Sequence, residues 1–382
     1  MSTSQVPQLP DNQPYDRKMP AATDELRFVR FKDPQAFLEA TKRYDGSFMN
    51  LSLGSIYDYV SSSQSTAADP SKSAVPVYLV AIYRGDELLI SLTHTATDFA
   101  WMLCIPTGTT EALVLGTSTT PGLLVPAIDL LASSTLVQLT SNPLVLDKVI
   151  GPATAVHAFV AAWSALLAAR GLSVRPTPGD FRSRVSYVSR ASLAPPPPTP
   201  FPHPIVQATA YDLDALAHIH VAFQTNLQKN LPFTKAMTHD AALAYMAGPI
   251  QDRLVWHARV DDELVGYLLL GRVTPRTIAI RNVFVLPSHR RQGIAEAMVR
   301  GVTRYHLDAP PYGAQPVHDG PPIFGIKEEV NLNGADANAE RIYRRCGFLF
   351  PDRTGEVATG DIDPATGRKG WFDVDFRDLP VS

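Results

Sequence analysis

The segment from Ile280 to Tyr305 reads as a strand, a turn and a helix in immediate succession. Ile280-Arg-Asn-Val-Phe-Val-Leu286 is apolar and rich in β-branched residues, and it stops at Pro287. A short basic turn, Ser288-His-Arg-Arg-Gln-Gly293, follows, and Ile294 to Tyr305 then takes up a helical pattern. The first N–H groups of a helix lack partners within it and carry the positive end of its dipole, so such a turn accepts an anion. Arg290 and Arg291 add formal charge, while Gly293 and Ala295 keep side-chain bulk away from the main chain. Cations at a helix start oppose the dipole, and an anionic ligand accounts for them there. The unit reads as a pyrophosphate cradle.

The spacing Arg290-x-x-Gly293-x-Ala295 after Val283-Phe-Val-Leu286 resembles the acyl-CoA-binding signature of the GNAT acetyltransferase superfamily, Arg/Gln-x-x-Gly-x-Gly/Ala. A second block, Val330-Asn-Leu-Asn-Gly-Ala-Asp-Ala-Asn-Ala-Glu-Arg-Ile-Tyr-Arg-Arg-Cys-Gly-Phe348, resembles the later block of that family. There an apolar strand and an Asn precede a helix ending in Tyr-x-x-x-Gly-Phe, matched by Asn333, Ala339, Tyr343, Gly347 and Phe348. Asp336 stands where the family often has a second Asn, and its carboxylate still suits a helix N-cap.

The resemblance covers about residues 205–382 and implies a mixed α/β sheet flanked by helices, with acetyl-CoA as cosubstrate. It implies that the main chain of Phe284 and Val285 pairs with the pantetheine arm. The pyrophosphate would sit on the turn at Arg290 and on the amides of Arg291, Gln292, Gly293, Ile294 and Ala295. Asn333 and Ala339 join the cofactor-binding set, and Tyr343 would protonate the leaving thiolate. The carboxylate base that some members carry early in the strand before the cradle has no counterpart in Thr277-Ile-Ala-Ile-Arg-Asn282. Glu328, Glu329, Asn331 and an ordered water stay open as its replacement, and His257 and His289 stay undecided. Cys346 reads as a small buried apolar residue, since no base pattern accompanies it.

A chain of 382 residues suits two domains. A net charge of −3 with mixed signs gives no case for nucleic-acid binding through bulk electrostatics. Two cysteines, Cys104 and Cys346, offer no disulfide framework and fit a reducing compartment. Met1 to Pro20 has neither the apolar core of a signal peptide nor the acid-free pattern of a transit peptide. Gly122 to Leu139 is apolar but carries Asp129 and two serines, so it reads as a buried helix rather than a membrane span. A cytoplasmic protein is expected. Cys-x-x-Cys, His-Glu-x-x-His and calcium-loop patterns are all absent, and no metal is expected.

Pro195-Pro-Pro-Pro-Thr-Pro-Phe-Pro-His-Pro204 marks the clearest boundary, because proline at this density fixes an extended spacer. The expected organisation is a flexible segment over 1–23, a domain over 24–190, a Pro-rich linker over 191–204 and the GNAT-like domain over 205–382. Beyond the linker the pattern predicts strands at Ile205–Ala210, Leu254–Val260, Leu264–Val273, Thr277–Leu286, Gly325–Asn333, Phe348–Phe350 and Lys369–Phe376. Helices are expected over Asp214–Asn226, from the cradle to Tyr305, and over Asp336–Arg345. Before the linker, Leu26–Phe31 and Asp33–Tyr44 read as strand and helix, Val77–Leu92 as a hairpin, and Thr154–Arg170 as a helix after Val149-Ile-Gly-Pro152. The turn Arg84-Gly-Asp-Glu-Leu88 resembles Arg259-Val-Asp-Asp-Glu-Leu264, so the first half reads as a diverged copy of the same fold. It contains no CoA signature, and a tandem pair of this kind is compatible with a monomer.

These readings lead to an acetyl-CoA-dependent N-acetyltransferase acting on the amine of a small molecule, without nucleic acid or membrane as partner. The alternatives are a protein or peptide N-acetyltransferase, or a CoA-binding scaffold without turnover.

Overall fold

Strands of both halves join in one mixed sheet, and the halves share a succession of strands and helices to which the first half adds α3 (Glu111–Val114) and β6 (Thr177–Pro178). A computed structural model describes residues 25–65, 77–95, 99–107, 111–116, 122–179, 183–230, 236–351 and 361–381. The segment 1–23 lies outside the described residues.

The first half runs β1 (Leu26–Phe31), α1 (Pro34–Thr41), α2 (Asn50–Ser65), β2 (Tyr78–Arg84), β3 (Glu87–His94) and β4 (Trp101–Cys104). It continues with α3 (Glu111–Val114), α4 (Val125–Gln138), β5 (Lys148–Pro152), α5 (Ala153–Ala168), β6 (Thr177–Pro178) and β7 (Ser183–Ser189). The second half runs β8 (Ile205–Gln207), α6 (Leu213–Asn230), α7 (His239–Gln251), β9 (Val255–Val260) and β10 (Glu263–Gly271). Then follow β11 (Thr277–Val285), α8 (Ile294–His306), β12 (Glu329–Gly334), α9 (Ala337–Cys346) and β13 (Trp371–Asp378).

β1 to β4 pair antiparallel in sequence and β4 pairs parallel with β5. β8 to β11 pair antiparallel in sequence and β11 pairs parallel with β12, which repeats the pattern. The repeat inferred from two hairpin turns therefore extends to strand order and sense. Each half is a sheet between helices, with α4 and α5 on one face of the first half and α1 and α2 on the other. In the second half α8 covers one face, while α6 and α7 cover the other.

The last strands are exchanged. β13, from the second half, pairs with β5 of the first. β7, from the first half, pairs with β12 of the second, and β7 and β13 pair with each other. Val188 of β7 belongs to the second core, whereas Phe372 and Val374 of β13 belong to the first. Val185 of β7 packs in the first core as well, so β7 is shared between the two cores and ties the halves together. The proline-rich segment is likewise no free spacer, since Leu193 and Phe201 pack against the second core. Arg304 donates to Ala194 O and Arg300 to Pro195 O, so the segment lies along α8.

Gly122 to Leu139 holds the buried helix α4, and no helix among the described residues is long and apolar enough to cross a membrane. α2, α7 and β7 are elements that the sequence pattern does not announce. α2 is interrupted by Gly54 and rich in serine, and α7 contains Gly248-Pro249.

His306, in the last turn of α8, is buried with neither ring nitrogen hydrogen-bonded among the described residues. Burial, helped by the Lys327 ammonium, pushes its pKa down to about 3. Its unfolded value is about 6.5, so between these limits the unfolded chain takes a proton that the folded chain refuses. His306 therefore lowers stability as pH falls through that window. His306→Leu should gain on the parent by about 1.4 kcal/mol for each pH unit between pH 6 and 4. Urea unfolding at several pH values reads this difference, and a constant difference would contradict a neutral buried imidazole.

Candidate active site

β11 and β12 run side by side only over Thr277↔Glu329 to Ile280↔Leu332. Beyond that rung β12 continues along β7, through Asn333↔Val185 and Gly334↔Arg184, while β11 continues along β10. A gap opens between them with Arg281 and Asn333 at its vertex. The register shift between Leu269 and Leu270 leaves Arg281 as the extra residue of a bulge opposite β10, which bends β11 away.

The alternation of the ladder decides which main-chain groups face this gap. Leu286 N–H donates to Val265 O, and Phe284 O lies 2.8 Å from an ideal Cβ on Gly266, so residues 284 and 286 turn to β10. Val285, one residue along, turns its N–H and C=O into the gap. Of the two residues assigned to the pantetheine arm, Val285 thus presents main chain to the opening. Phe284 has its side chain buried under α6. Arg290 Nε donates to Val285 O at 3.1 Å, and its guanidinium lies over the Phe284 ring. That arginine is tied to the strand rather than free on the turn.

The turn itself lies at the surface. Arg291, Gln292 and Gly293 are exposed, Ala295 is partly covered and Ile294 anchors α8 in the core. Arg291 (φ 62°) and Gly293 (φ 81°) both take the left-handed conformation, which leads the main chain sharply into α8. Gly293 is the N-cap and offers no side-chain acceptor, leaving the first N–H groups of α8 available to a ligand. Among the described residues, and apart from its chain neighbours, the atom within 4 Å of an ideal Cβ at Gly293 belongs to the Phe201 ring, at 3.7 Å. The turn is open to solvent.

α8 and α9 are locked together beside the gap. Glu296 accepts from Arg300 at 3.0 Å and from Arg345 at 2.7 Å. Burial would raise its carboxyl, and the two guanidiniums outweigh that and hold it low. Asp336 caps α9 by accepting from Asn338 N–H, and Gly347 closes the helix in the left-handed region. Tyr343 stacks on Phe350 and meets Phe348 at a tilt, and its hydroxyl has no hydrogen-bond partner among the described residues. Burial raises its phenol well above the ordinary value. Ala339 is partly buried on α9. Asn333 accepts from Arg272 Nη2 at 3.2 Å and donates to Ser183 Oγ. Cys346 is buried, with its thiol pushed up to about 12, which leaves it inert at neutral pH.

The acids considered as a base stand elsewhere. Glu328 pairs with Arg276 at the surface, and Glu329 accepts from Ser47 N–H. Glu329 occupies the first rung of the parallel pair, roughly 13 Å along the strand from Asn333. Asn331 is buried on a paired rung opposite Ala279. His257 is buried beside Asp212, and His289 contacts Ser288 Oγ in the turn.

Several groups had no signal in the linear sequence. Asn50, Gly54 and Asp58 lie four apart on α2 of the first half, and all face Arg272 at the end of β10. On α6, buried His220 contacts Tyr267 Oη at 2.7 Å, with Tyr245 stacked on its ring. Burial lowers the pKa of His220 to about 4. Asp214 and His218 on α6 and His239 on α7 bring possible metal-ligating atoms within 4.8 Å of one another. A search for linear metal motifs misses that trio, because two helices supply it.

In the first half the corresponding opening is closed. β4 and β5 pair at Trp101↔Val149 and Met102↔Ile150, and a Cβ on Gly151, one rung on, would stand 2.3 Å from Leu103 O. Glycine keeps the two strands in contact where β11 and β12 part.

The family model for the acetyltransferase (GNAT) domain matches residues 251–349, a span that contains the gap, the cradle and Tyr343. No curated protein matches the chain. A GNAT-family acetyltransferase from Colwellia psychrerythraea is 10% identical, with 92% of this chain and 99% of that one covered at a TM-score of 0.42. A GCN5-related N-acetyltransferase from Sphaerobacter thermophilus is 14% identical, covering 92% and 96% at 0.44. A tandem GNAT protein from the clavulanic acid biosynthesis pathway is 12% identical, covering 94% and 98% at 0.44.

Proposed function

We propose that this chain, whose residues 251–349 form an acetyltransferase domain of the GNAT type, is an acetyl-CoA-dependent N-acetyltransferase with a small-molecule amine as acceptor. The observation that carries the reading is the conjunction of an open strand gap with an exposed, uncapped helix start at its mouth. Val285 main chain in the gap suits the amide-bearing pantetheine arm, and the N–H groups from Arg291 to Ala295 suit the pyrophosphate. Acetyl-CoA supplies an activated thioester. The amine nitrogen forms a bond to the carbonyl carbon and gives up a proton to solvent water, from which the Tyr343 phenol is later reprotonated, and the carbon–sulfur bond breaks. Tyr343, whose buried phenol keeps its proton at neutral pH, donates that proton to the departing sulfur. Holding both reactants in one gap converts a bimolecular encounter into a positioned one.

The first half supports a small acceptor over a protein. α2 lies over the vertex of the gap on the side away from α8, and it narrows the approach to that vertex. Purified protein mixed with acetyl-CoA and a panel of amino acids, polyamines, aminoglycosides and N-terminal peptides should release free CoA with small amines. Release with peptides alone would favour a protein acceptor. Silence across the panel together with tight CoA binding would favour a scaffold.

A further inference from the structure

The vertex of the gap is unusually rich in charge. Arg281 is the first residue of β11 beyond the last paired rung, and Asn333 is its counterpart on β12. Arg272 comes from the end of β10 with a left-handed φ of 47°, and its guanidinium reaches Asn333 Oδ1. Arg272 Nε is buried without a hydrogen-bond partner among the described residues. Arg281 is exposed, lies across Gly271, and its guanidinium has no hydrogen-bond partner among the described residues. A Cβ on Gly271 would stand 2.6 Å from Arg281 Cδ, so glycine makes room for that stem.

Among the described residues, the acid of this recess comes from the other half of the chain. Asn50 Nδ2 donates to Arg272 O and Thr277 Oγ1, both at 2.8 Å, and fixes α2 on the second half. Gly54, one turn on, lets α2 approach until an ideal Cβ would stand 2.4 Å from Arg272 Cβ. Asp58, one further turn on, lies close to the Arg272 main chain and within the fields of both Arg272 and Arg281. Asp58 keeps an exposed edge, yet the crowding around its carboxyl raises its pKa. Burial, with repulsion from Arg281, lowers that of Arg272 to about 10. Two guanidiniums and one carboxylate therefore converge at the vertex of the gap. Two cations and one acid match a ligand with the opposite pair, a carboxylate next to an amine. A polyamine would meet net repulsion here.

We propose that this recess binds the amino-carboxylate end of the acceptor, an α-amino acid or a compound with the same group, with its carboxylate on Arg281 and its nitrogen towards Asp58. The proposal rests on the acetyltransferase reading and narrows its substrate class. It also gives the first half a role, because Asp58 belongs to α2. Arg281 and Asp58 act as binding and positioning residues.

The test uses the full chain with acetyl-CoA and three matched sets of probes: L-amino acids, their carboxamides and the corresponding decarboxylated amines. At least one amino acid should show a KM ten or more times lower than that of its carboxamide and its amine. Arg281→Gln should raise KM for that amino acid at least tenfold more than for the amine, and Asp58→Asn should raise KM for both. Equal KM values across a set, or a preference for the amine, would overturn the proposal while leaving acetyl transfer standing. If no probe is acetylated, calorimetric titration of the amino acids onto the CoA complex decides. Binding weakened by Arg281→Gln supports the recess without turnover, and no binding rejects it. An equal fall in kcat for all probes on Arg281→Gln would assign the guanidinium to the carbonyl oxygen and reject the carboxylate role.

Discussion

Arg291→Glu is expected to weaken coenzyme A binding ten- to a hundredfold, with the fold intact. Arg291 is exposed on the open turn, whereas Arg290 is occupied by Val285 O, so Arg291 is the free formal charge of the pair. Its backbone is left-handed, a conformation about as costly for glutamate as for arginine, so the exchange alters charge more than conformation. Losing a hydrogen bond to a charged partner costs about 1.5–3 kcal/mol, and an acid facing a pyrophosphate adds repulsion. Arg291→Gln should fall between parent and charge reversal. Titration calorimetry with coenzyme A, paired with circular dichroism, reads both effects. Equal dissociation constants in all three proteins would take the pyrophosphate away from this turn.

Tyr343→Phe is expected to lower kcat by a factor of about 100 or more and to leave CoA affinity nearly unchanged. The ring stacks on Phe350, and phenylalanine keeps that packing. Only the hydroxyl is lost, and no described residue depends on it for a hydrogen bond. Loss of turnover without loss of binding is the mark of a proton donor. Unaltered turnover would instead assign Tyr343 to the core of the second half, where it packs already.

The most legible parts of this protein are those in which local chemistry decides local structure. Pro287, the basic turn and Gly293 announce a strand–turn–helix, and the structure has β11, that turn and α8 in those places. Asp336 and Gly347 announce the two ends of α9. The gap itself is half legible. Val283-Phe-Val-Leu286 reads as an ordinary strand, and nothing in it says that pairing with β12 ends at Ile280. That ending goes with the bulge at Arg281, a tertiary fact, while β7 lines the other edge of β12 throughout.

The exchange of β7 and β13 was beyond reach for a similar reason. A strand that completes its own half and a strand that completes the other carry the same alternation of side chains. Only the register, Val374↔Pro152 and Asn333↔Val185, separates the two. The charged vertex is hidden for yet another reason. Asp58 and Arg281 are 223 positions apart in sequence, and α2 carries serine and glycine where a helix pattern would want stronger formers. Asn50, Gly54 and Asp58 acquire meaning only once α2 is seen against β10 and β11.

The exchange also bears on how the two halves act together. Because each half holds a strand of the other, α2 cannot drift far from the gap without breaking sheet pairing. The first half, closed at Gly151, thereby serves as a fixed wall for the open second half.

The central claim is that the main chain of the turn from Arg291 to Ala295 holds a pyrophosphate, and calorimetry on the unaltered protein tests it most directly. Coenzyme A should bind at one equivalent per chain, and pantetheine, which lacks the pyrophosphate, should bind at least a hundredfold more weakly. Equal affinity for the two compounds, or no heat with coenzyme A, would contradict the account.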